Sequence, residues 1–491
     1  MSSSLGPASR SAAIAVMQDR VLDLLVVGAG ATGTGTALDA ASRGLDVALI
    51  DKGDIAGGTS SRSSQLVHGG LRYLQHGDVS LVREALRERD LLLTTLAPHL
   101  VRPLSFLLPL RHRVWERAYL GAGLTAYDVL ASSAVLPRHR HLSRKAVMAR
   151  FPSLDRGVVV GALEYSDAKM DDALLAVAIA RTAAAHGAHV APHVALAASL
   201  GAEADGTWRV LLRDEVSGDT FEVRARAIAL CAGVWAPEAS ALFTGSEATV
   251  AVTRSKGVHI RLPRTAIEGH AALIVPTGRS VLFVIPERDH WLVGTTDTEW
   301  LADPDAVAPD EDDIAYLLGQ LNGILAEPVT AADVTWSFAG LRPLVRDQSV
   351  GGDTAKVTRE HRIARVAPRV LSIVGGKWTT YRIMARDLVD TVLDECGRPP
   401  VPCRTDAIPL VATRAAEVDA LIAADPHLGE PLLEAPGYRR ADVVQACLDE
   451  GAITVDDVVL RRLRLPLHLD EVTDGTLADI ERTMGTASAL A

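Results

Sequence analysis

Cysteine is scarce in this chain. Its four copies, Cys231, Cys396, Cys403 and Cys447, show no paired spacing such as C-x-x-C. They offer neither a cysteine-held metal centre nor a disulfide framework, which fits a reducing compartment. Basic charge is also short. Fifty Lys and Arg against 61 Asp and Glu leave a net charge of −11, so no overall basic field would draw in nucleic acid, and any phosphate must be met by a local cluster. Long apolar runs are missing too. Thr182 to Ala202 lacks Asp, Glu, Lys and Arg, but it holds three histidines, Pro192 and two glycines. It reads as helix end, strand and turn, and makes a poor membrane span. AAIAVM near the start is too short for a signal peptide. No metal site is expected, and the expected location is cytoplasmic.

What is present is a soluble globular composition, 48% apolar and 23% charged over 491 residues. That length implies two or three domains. The Ser/Ala-rich residues 1–20 are expected to be a flexible tail.

The organising stretch is Asp23 to Leu74. Leu22 to Val27 is a short valine-rich run suited to a buried parallel strand. Gly28, Gly30 and Gly33 follow in the spacing G-x-G-x-x-G: the first permits a tight turn, the second lets backbone approach a pyrophosphate, and the third lets helix and strand pack closely. ATGTGTALDAASRG reads as a helix of small residues whose N-terminus favours a diphosphate. A second strand, Asp46 to Ile50, ends at Asp51, 18 residues past Gly33, where an acid accepts ribose hydroxyls. The order of these parts predicts a dinucleotide site for NAD or FAD, not NADP. The hydroxyls of Thr59, Ser60, Ser61, Ser63 and Ser64 suit a loop laid along a cofactor that never leaves, which favours FAD.

TSSRSSQLVHGGLRYL at 59–74, GLRPL at 340–344 and VGGKWTTYR at 374–382 resemble the FAD-dependent glycerol-3-phosphate dehydrogenase family. The resemblance runs from about Asp23 to Leu465. It implies an α/β fold: a Rossmann-like FAD-binding domain, a β-rich substrate domain in the manner of D-amino-acid oxidase, and a C-terminal helical domain. The expected boundaries are 21–248 with 336–396 for FAD, 249–335 for the substrate domain and 397–491 for the helical domain.

Along the chain, Asp78 can cap an amphipathic helix running to about Leu96, with its charges facing away from Val79, Val82, Leu86 and Leu93. Arg102 to Ala131 mixes Phe106, Trp115 and Tyr119 with Arg111, Arg113 and Arg117, and RHRHLSRK follows. Residues 101–145 read either as a packed helix with a solvated basic edge or as a surface held to anionic lipid. The family's bacterial members are peripheral membrane enzymes that reduce quinone. Thr207 to Leu212 and Thr220 to Ala225 look like a hairpin, and a strand entering a glycine turn at Gly233 would lie beneath the adenosine end of FAD. Thr249 to Gly294 is β-rich and reads as a roof over the flavin. Leu371 to Val374 is a strand ended by Gly375 and Gly376. Thr379 or Thr380 can cap the next helix, aiming its positive end at the flavin pyrimidine ring. Thr454 would cap a helix in the C-terminal part, which ends in a loose tail.

The substrate implied is sn-glycerol 3-phosphate, oxidised to dihydroxyacetone phosphate. Its phosphate needs local cations, and Arg72, Arg342, Arg359 and Lys377 sit on motif positions, with Tyr73 beside them. His259 and His68 are candidate bases, His259 preferred because it lies in the roof. Arg342 and Lys377 also suit stabilisation of an alkoxide. His68 and Gly69 join the expected FAD contacts. Two alternatives stand: an oxidase passing electrons to O₂, though no long insertion marks one, and a non-catalytic FAD-binding sensor or scaffold. A homodimer is left open.

Overall fold

The computed structural model describes residues 3–71, 74, 78–131, 135–245, 251–278, 281–345, 360–412 and 414–490. Six strands form the central sheet in the order His361–Ala367, Val370–Gly375, Ile228–Leu230, Leu24–Val27, Val47–Ile50 and His189–Ala191. All neighbours are parallel except the His361–Ala367 edge. Val47–Ile50 and Ile228–Leu230 are buried along their whole length, as parallel strands covered on both faces must be. Helix Ala31–Ser42 packs on this sheet between helices Asp172–Ala185 and Tyr381–Glu395. Its small residues allow that closeness: a Cβ on Gly35 would stand 2.8 Å from the Tyr381 ring.

A second, ten-stranded sheet carries the roof. Its order is Thr298–Glu299, Val252–Pro263, His290–Gly294, Val281–Pro286, Ala272–Pro276, Val101–Leu110, Gly161–Met170 and Leu66–Val67. Trp336–Val345 pairs with Val252–Pro263, and Arg140–Ser143 with Gly161–Met170. The expected 249–335 boundary is therefore too narrow, because strands from 66–67, 101–110, 161–170 and 336–345 join the same sheet. Non-local strand pairing leaves no local mark in a sequence. Helix Glu311–Asn322, closed by an Asp310–Asp313 capping box, covers the outer face. The expected hairpin forms as Trp208–Asp214 with Thr220–Ala225, within a four-stranded sheet.

Several other expectations are corrected. The N-terminal tail is a helix, Pro7–Asp19, that buries Ala13 and Met17 against the hairpin sheet while Arg10 pairs with Asp214. Arg102 to Leu110 is strand, not helix, because its backbone pairs along its length with Gly161–Met170. The charges of helix Val79–Leu91 do not all face water: Arg83 and Arg87 are exposed, but Glu88 and Arg89 are buried in ion pairs with Arg382 and Asp167. That helix packs against the roof sheet and against the turn before Tyr381, which covers part of its charged side as well. The C-terminus closes on helix Asp474–Leu490, which packs against Arg440–Leu448.

Met17 is fully buried. Met17→Ala should cost about 2–5 kcal/mol by analogy with other core truncations, read as a lowered unfolding midpoint. A loose tail would leave the midpoint unchanged.

Candidate active site

One cavity of about 940 Å³ runs from the glycine loop to the underside of the roof, a volume within the usual range for small-molecule sites. At its nucleotide end the chain turns at Gly28, whose φ is +105°. A Cβ on Gly33 would lie 1.7 Å from the Gly28 carbonyl oxygen, so only glycine lets helix Ala31–Ser42 start this close to the strand. The Ala31 amide donates to Ser60 Oγ at 2.9 Å, which ties the serine loop to the helix N-terminus. Asp51 accepts from the amides of Ala29 (2.6 Å) and Gly53 (2.9 Å). Burial pushes its pKa up against those two hydrogen bonds. Lys52 sits 4.5 Å over the Trp235 ring on the opposite wall.

At the other end stand His259, Arg342, Lys377 and His68. His259 is buried and stacks on Phe338 with ring centres 4.9 Å apart. Gly294 leaves room for the imidazole, since a Cβ there would fall 2.2 Å from its ring carbon. Ser64 Oγ lies 2.9 Å from His259 Nε2, while Nδ1 has no partner among the described residues. Burial first, and Arg342 second, push the imidazole down to about 3. The ordinary histidine pKa that recommended it as a base is corrected on that account: the ring is neutral across the physiological range. The Arg342 guanidinium donates to Ser255 Oγ (3.1 Å), the Thr296 carbonyl (3.2 Å) and Thr295 Oγ1 (2.9 Å). A Cβ on Gly257 would stand 2.5 Å from that guanidinium.

The loops between these ends are fastened to each other. Thr379 Oγ1 accepts the His68 amide at 3.2 Å. Neither Thr379 nor Thr380 caps the following helix with its side chain; they form a 3₁₀ turn that leads into it, and Thr380 Oγ1 donates to the Lys377 carbonyl. On the far side Gly69 donates its amide to Tyr127 Oη at 2.9 Å, and that hydroxyl donates to Asp167.

Of the residues singled out in the sequence, Gly28, Gly30, Asp51, Thr59, Ser60, Ser64, His68, Gly233, His259, Arg342, Gly375, Gly376, Lys377 and Thr379 all line this cavity. Gly33, Ser61 and Gly69 are not among its lining residues. Arg72, Tyr73 and Arg359 lie outside the described residues. Sequence reasoning passed over Arg62, Trp235, His193 and, from the C-terminal part, Arg461, and it gave Thr454 only a capping role. Arg62 stood in plain view inside TSSRSS, where the serines drew attention. Nothing local marked Arg461. Asp54, His193 and Asp457 are grouped closely enough to hold a cation, but Arg461 and Arg462 already occupy both carboxylates.

Comparison with known proteins gives the family to which this cavity belongs. A family model for FAD dependent oxidoreductases matches residues 23–389. Glycerol-3-phosphate dehydrogenase 2 of Mycobacterium tuberculosis is 40% identical over 497 residues, covering 94% of this chain and 84% of that protein. The chain belongs to the FAD-dependent glycerol-3-phosphate dehydrogenase family. The Mycobacterium leprae glycerol-3-phosphate dehydrogenase agrees, at 39% identity over 99% of this chain and 91% of its own length. Among solved structures, the glycerol-3-phosphate dehydrogenase of Bacillus halodurans complexed with FAD superposes with a TM-score of 0.72 at 25% identity, over 99% and 98% of the two chains. The L-alpha-glycerophosphate oxidase of Mycoplasma pneumoniae with FAD bound gives 0.61 at 19% identity over 80% of this chain and 100% of that one, a likeness of fold. FAD is the cofactor of the family, and the residues here fit it: a glycine cradle that a Cβ would fill, a buried acid at the strand end, and a cavity long enough to continue beneath the roof.

His259 makes a measurable prediction. Unfolded, an imidazole takes a proton near 6.5; folded, this one does so only at about 3. Its stability contribution is therefore intact above about 6.5 and drains as pH falls from there, by up to about 1.4 kcal/mol per pH unit. The thermal unfolding midpoint should fall less steeply between pH 7 and pH 5 in His259→Phe than in the wild type.

Proposed function

We propose that this enzyme oxidises sn-glycerol 3-phosphate to dihydroxyacetone phosphate and passes the electrons to a membrane quinone. One observation carries the reading: a single cavity joins the nucleotide cradle to Arg342, Lys377 and His259. Bound FAD supplies the hydride acceptor. Arg342 and Lys377 attract the phosphate dianion and stabilise charge on the C2 oxygen; Arg72, Tyr73 and Arg359, outside the described residues, are kept as substrate-binding candidates on their motifs alone. His259 takes the hydroxyl proton. A neutral, weakly basic imidazole suffices for that step because loss of hydride from C2 makes the attached hydroxyl strongly acidic. Phe338 and the bond to Ser64 keep the ring oriented meanwhile.

Arg342→Ala and Lys377→Ala should each raise KM for glycerol 3-phosphate roughly 10- to 100-fold, the value of a charge-assisted hydrogen bond, with FAD content unchanged. Steady-state kinetics and the flavin absorbance of the purified variants check this; an unaltered KM in both removes them from the site. Anaerobic bleaching of the flavin by glycerol 3-phosphate, followed by faster reoxidation with a quinone analogue than with air, is the expected order. Faster reoxidation by air would make the enzyme an oxidase, and no bleaching at all would make it a sensor.

Support for a lipid-borne acceptor comes from helix Trp115–Ala131. Trp115, Ala118, Tyr119, Ala122, Ala126 and Val129 lie exposed along one side of it. Arg111, Arg113, Arg138 and Lys145 are exposed around them. The two acids of residues 101–145 are engaged: Glu116 accepts the amides of Arg111 and His112, and Asp128 pairs with His139. An apolar, aromatic stripe inside a basic rim suits an anionic membrane surface. None of the described helices is long and apolar enough to cross a membrane. Wild-type protein should sediment with vesicles containing anionic lipid, and a Trp115→Ser/Tyr119→Ser variant should stay in the supernatant.

A further inference from the structure

We propose that Arg62 and Arg461 form a clamp for the diphosphate of FAD, which makes the C-terminal helical segment part of the cofactor site. The inference rests on the FAD reading and adds a role for a segment that the reading leaves idle. Both arginines line the cavity, one from the serine loop and one from the C-terminal segment. Arg461 is nearly buried, and Asp54 and Asp457 hold it. Asp54 lies three residues beyond Asp51 and also binds Arg462 through two bonds of 2.8 and 2.7 Å. This hub fastens the end of the nucleotide-binding strand to the C-terminal segment through fully buried groups. The neighbouring His193 bonds to Asp457 at 2.9 Å and donates its amide to the Gly53 carbonyl.

Arg62 is the odd member. Its side chain has no hydrogen-bond or ion-pair partner among the described residues, although it is half-buried. Burial and the nearby Arg461 both make its positive charge costly. Only the charge of Asp305 acts in its favour, whereas Arg461 and Arg462 are already paired with Asp54, Asp457 and Glu450, so Arg62 brings to the cavity wall a guanidinium that no carboxylate bonds among the described residues. The same cavity wall carries the N-terminus of helix Ala31–Ser42, through Gly30 and Ala31. A ligand group bearing two negative charges satisfies this arrangement, and guanidinium pairs are suited to phosphate oxygens.

Full-length apoprotein titrated with FAD, followed by flavin fluorescence quenching, tests the clamp. Arg62→Met and Arg461→Met should each weaken FAD at least about tenfold, the loss expected of one charge-assisted bond. The thermal midpoint of apo Arg62→Met should be unchanged or higher, since no protein partner is lost. Raising NaCl from about 0.05 to 0.5 M, which shortens screening lengths severalfold, should weaken the wild type more than either variant. Arg461→Lys should restore part of the affinity. FAD affinity in Arg62→Met within twofold of wild type overturns the clamp, as does a loss in Arg461→Met that tracks only a fallen apo midpoint. Failure of the wild-type apoprotein to bind FAD overturns the clamp and the cofactor reading together.

Discussion

The backbone of Gly33 rests on the carbonyl of Gly28, and the rest of the molecule is built outward from that contact. There is no room for a Cβ at Gly33, and little at Gly28, where one would fall 2.5 Å from the Cys231 carbonyl oxygen. The contact fixes where helix Ala31–Ser42 begins. The small residues on that helix let Tyr381–Glu395 pack against it. The second helix in turn fixes the turn holding Thr379, and Thr379 bonds the backbone of His68. Two ends of one cavity are thus set by a contact between two glycines and a succession of short, rigid links. Packed backbones transmit position without slack.

The legibility of the chain follows the range of each interaction. The nucleotide-binding unit was readable because its strand, glycines, helix and acid are local and each has a distinct residue requirement. The ten-stranded sheet was not, because Val101–Leu110 and Gly161–Met170 find each other across some fifty residues, and a ten-residue strand looks like a helix edge until its partner is known. The N-terminal helix was missed for another reason: it buries mainly two side chains, Ala13 and Met17, too few to raise a pattern above a Ser/Ala-rich background. At the site, glycines and motif arginines were visible, whereas the charge state of His259 depends on burial that only the fold creates.

Charge is arranged in two distinct ways. Arg43, Arg89, Arg382, Arg462 and Arg464 are buried, and each meets a carboxylate: Asp39, Asp167, Glu88, Asp54 and Asp172 respectively. All but the first of these pairs join segments far apart in sequence. Desolvation offsets much of their attraction, so their main effect is to penalise any register in which one partner is stranded. Asp172 illustrates this. It holds Arg464 and also accepts from Ser63, so the serine loop, a helix N-terminus and the C-terminal segment share one carboxylate.

The cavity groups obey a different rule. A fold that pairs its buried arginines this thoroughly leaves Arg62 without a hydrogen-bond or ion-pair partner among the described residues, and it sets Arg342 where it depresses the basicity of His259. Both arrangements cost the empty protein something that an anion removes. A phosphate dianion bound beside Arg342 would offset the repulsion between guanidinium and imidazolium. The His259 pKa would then rise from its low value only once substrate is in place. Burial is the larger cause of the low His259 pKa and Arg342 the smaller, so an anion beside Arg342 would relieve only the smaller one.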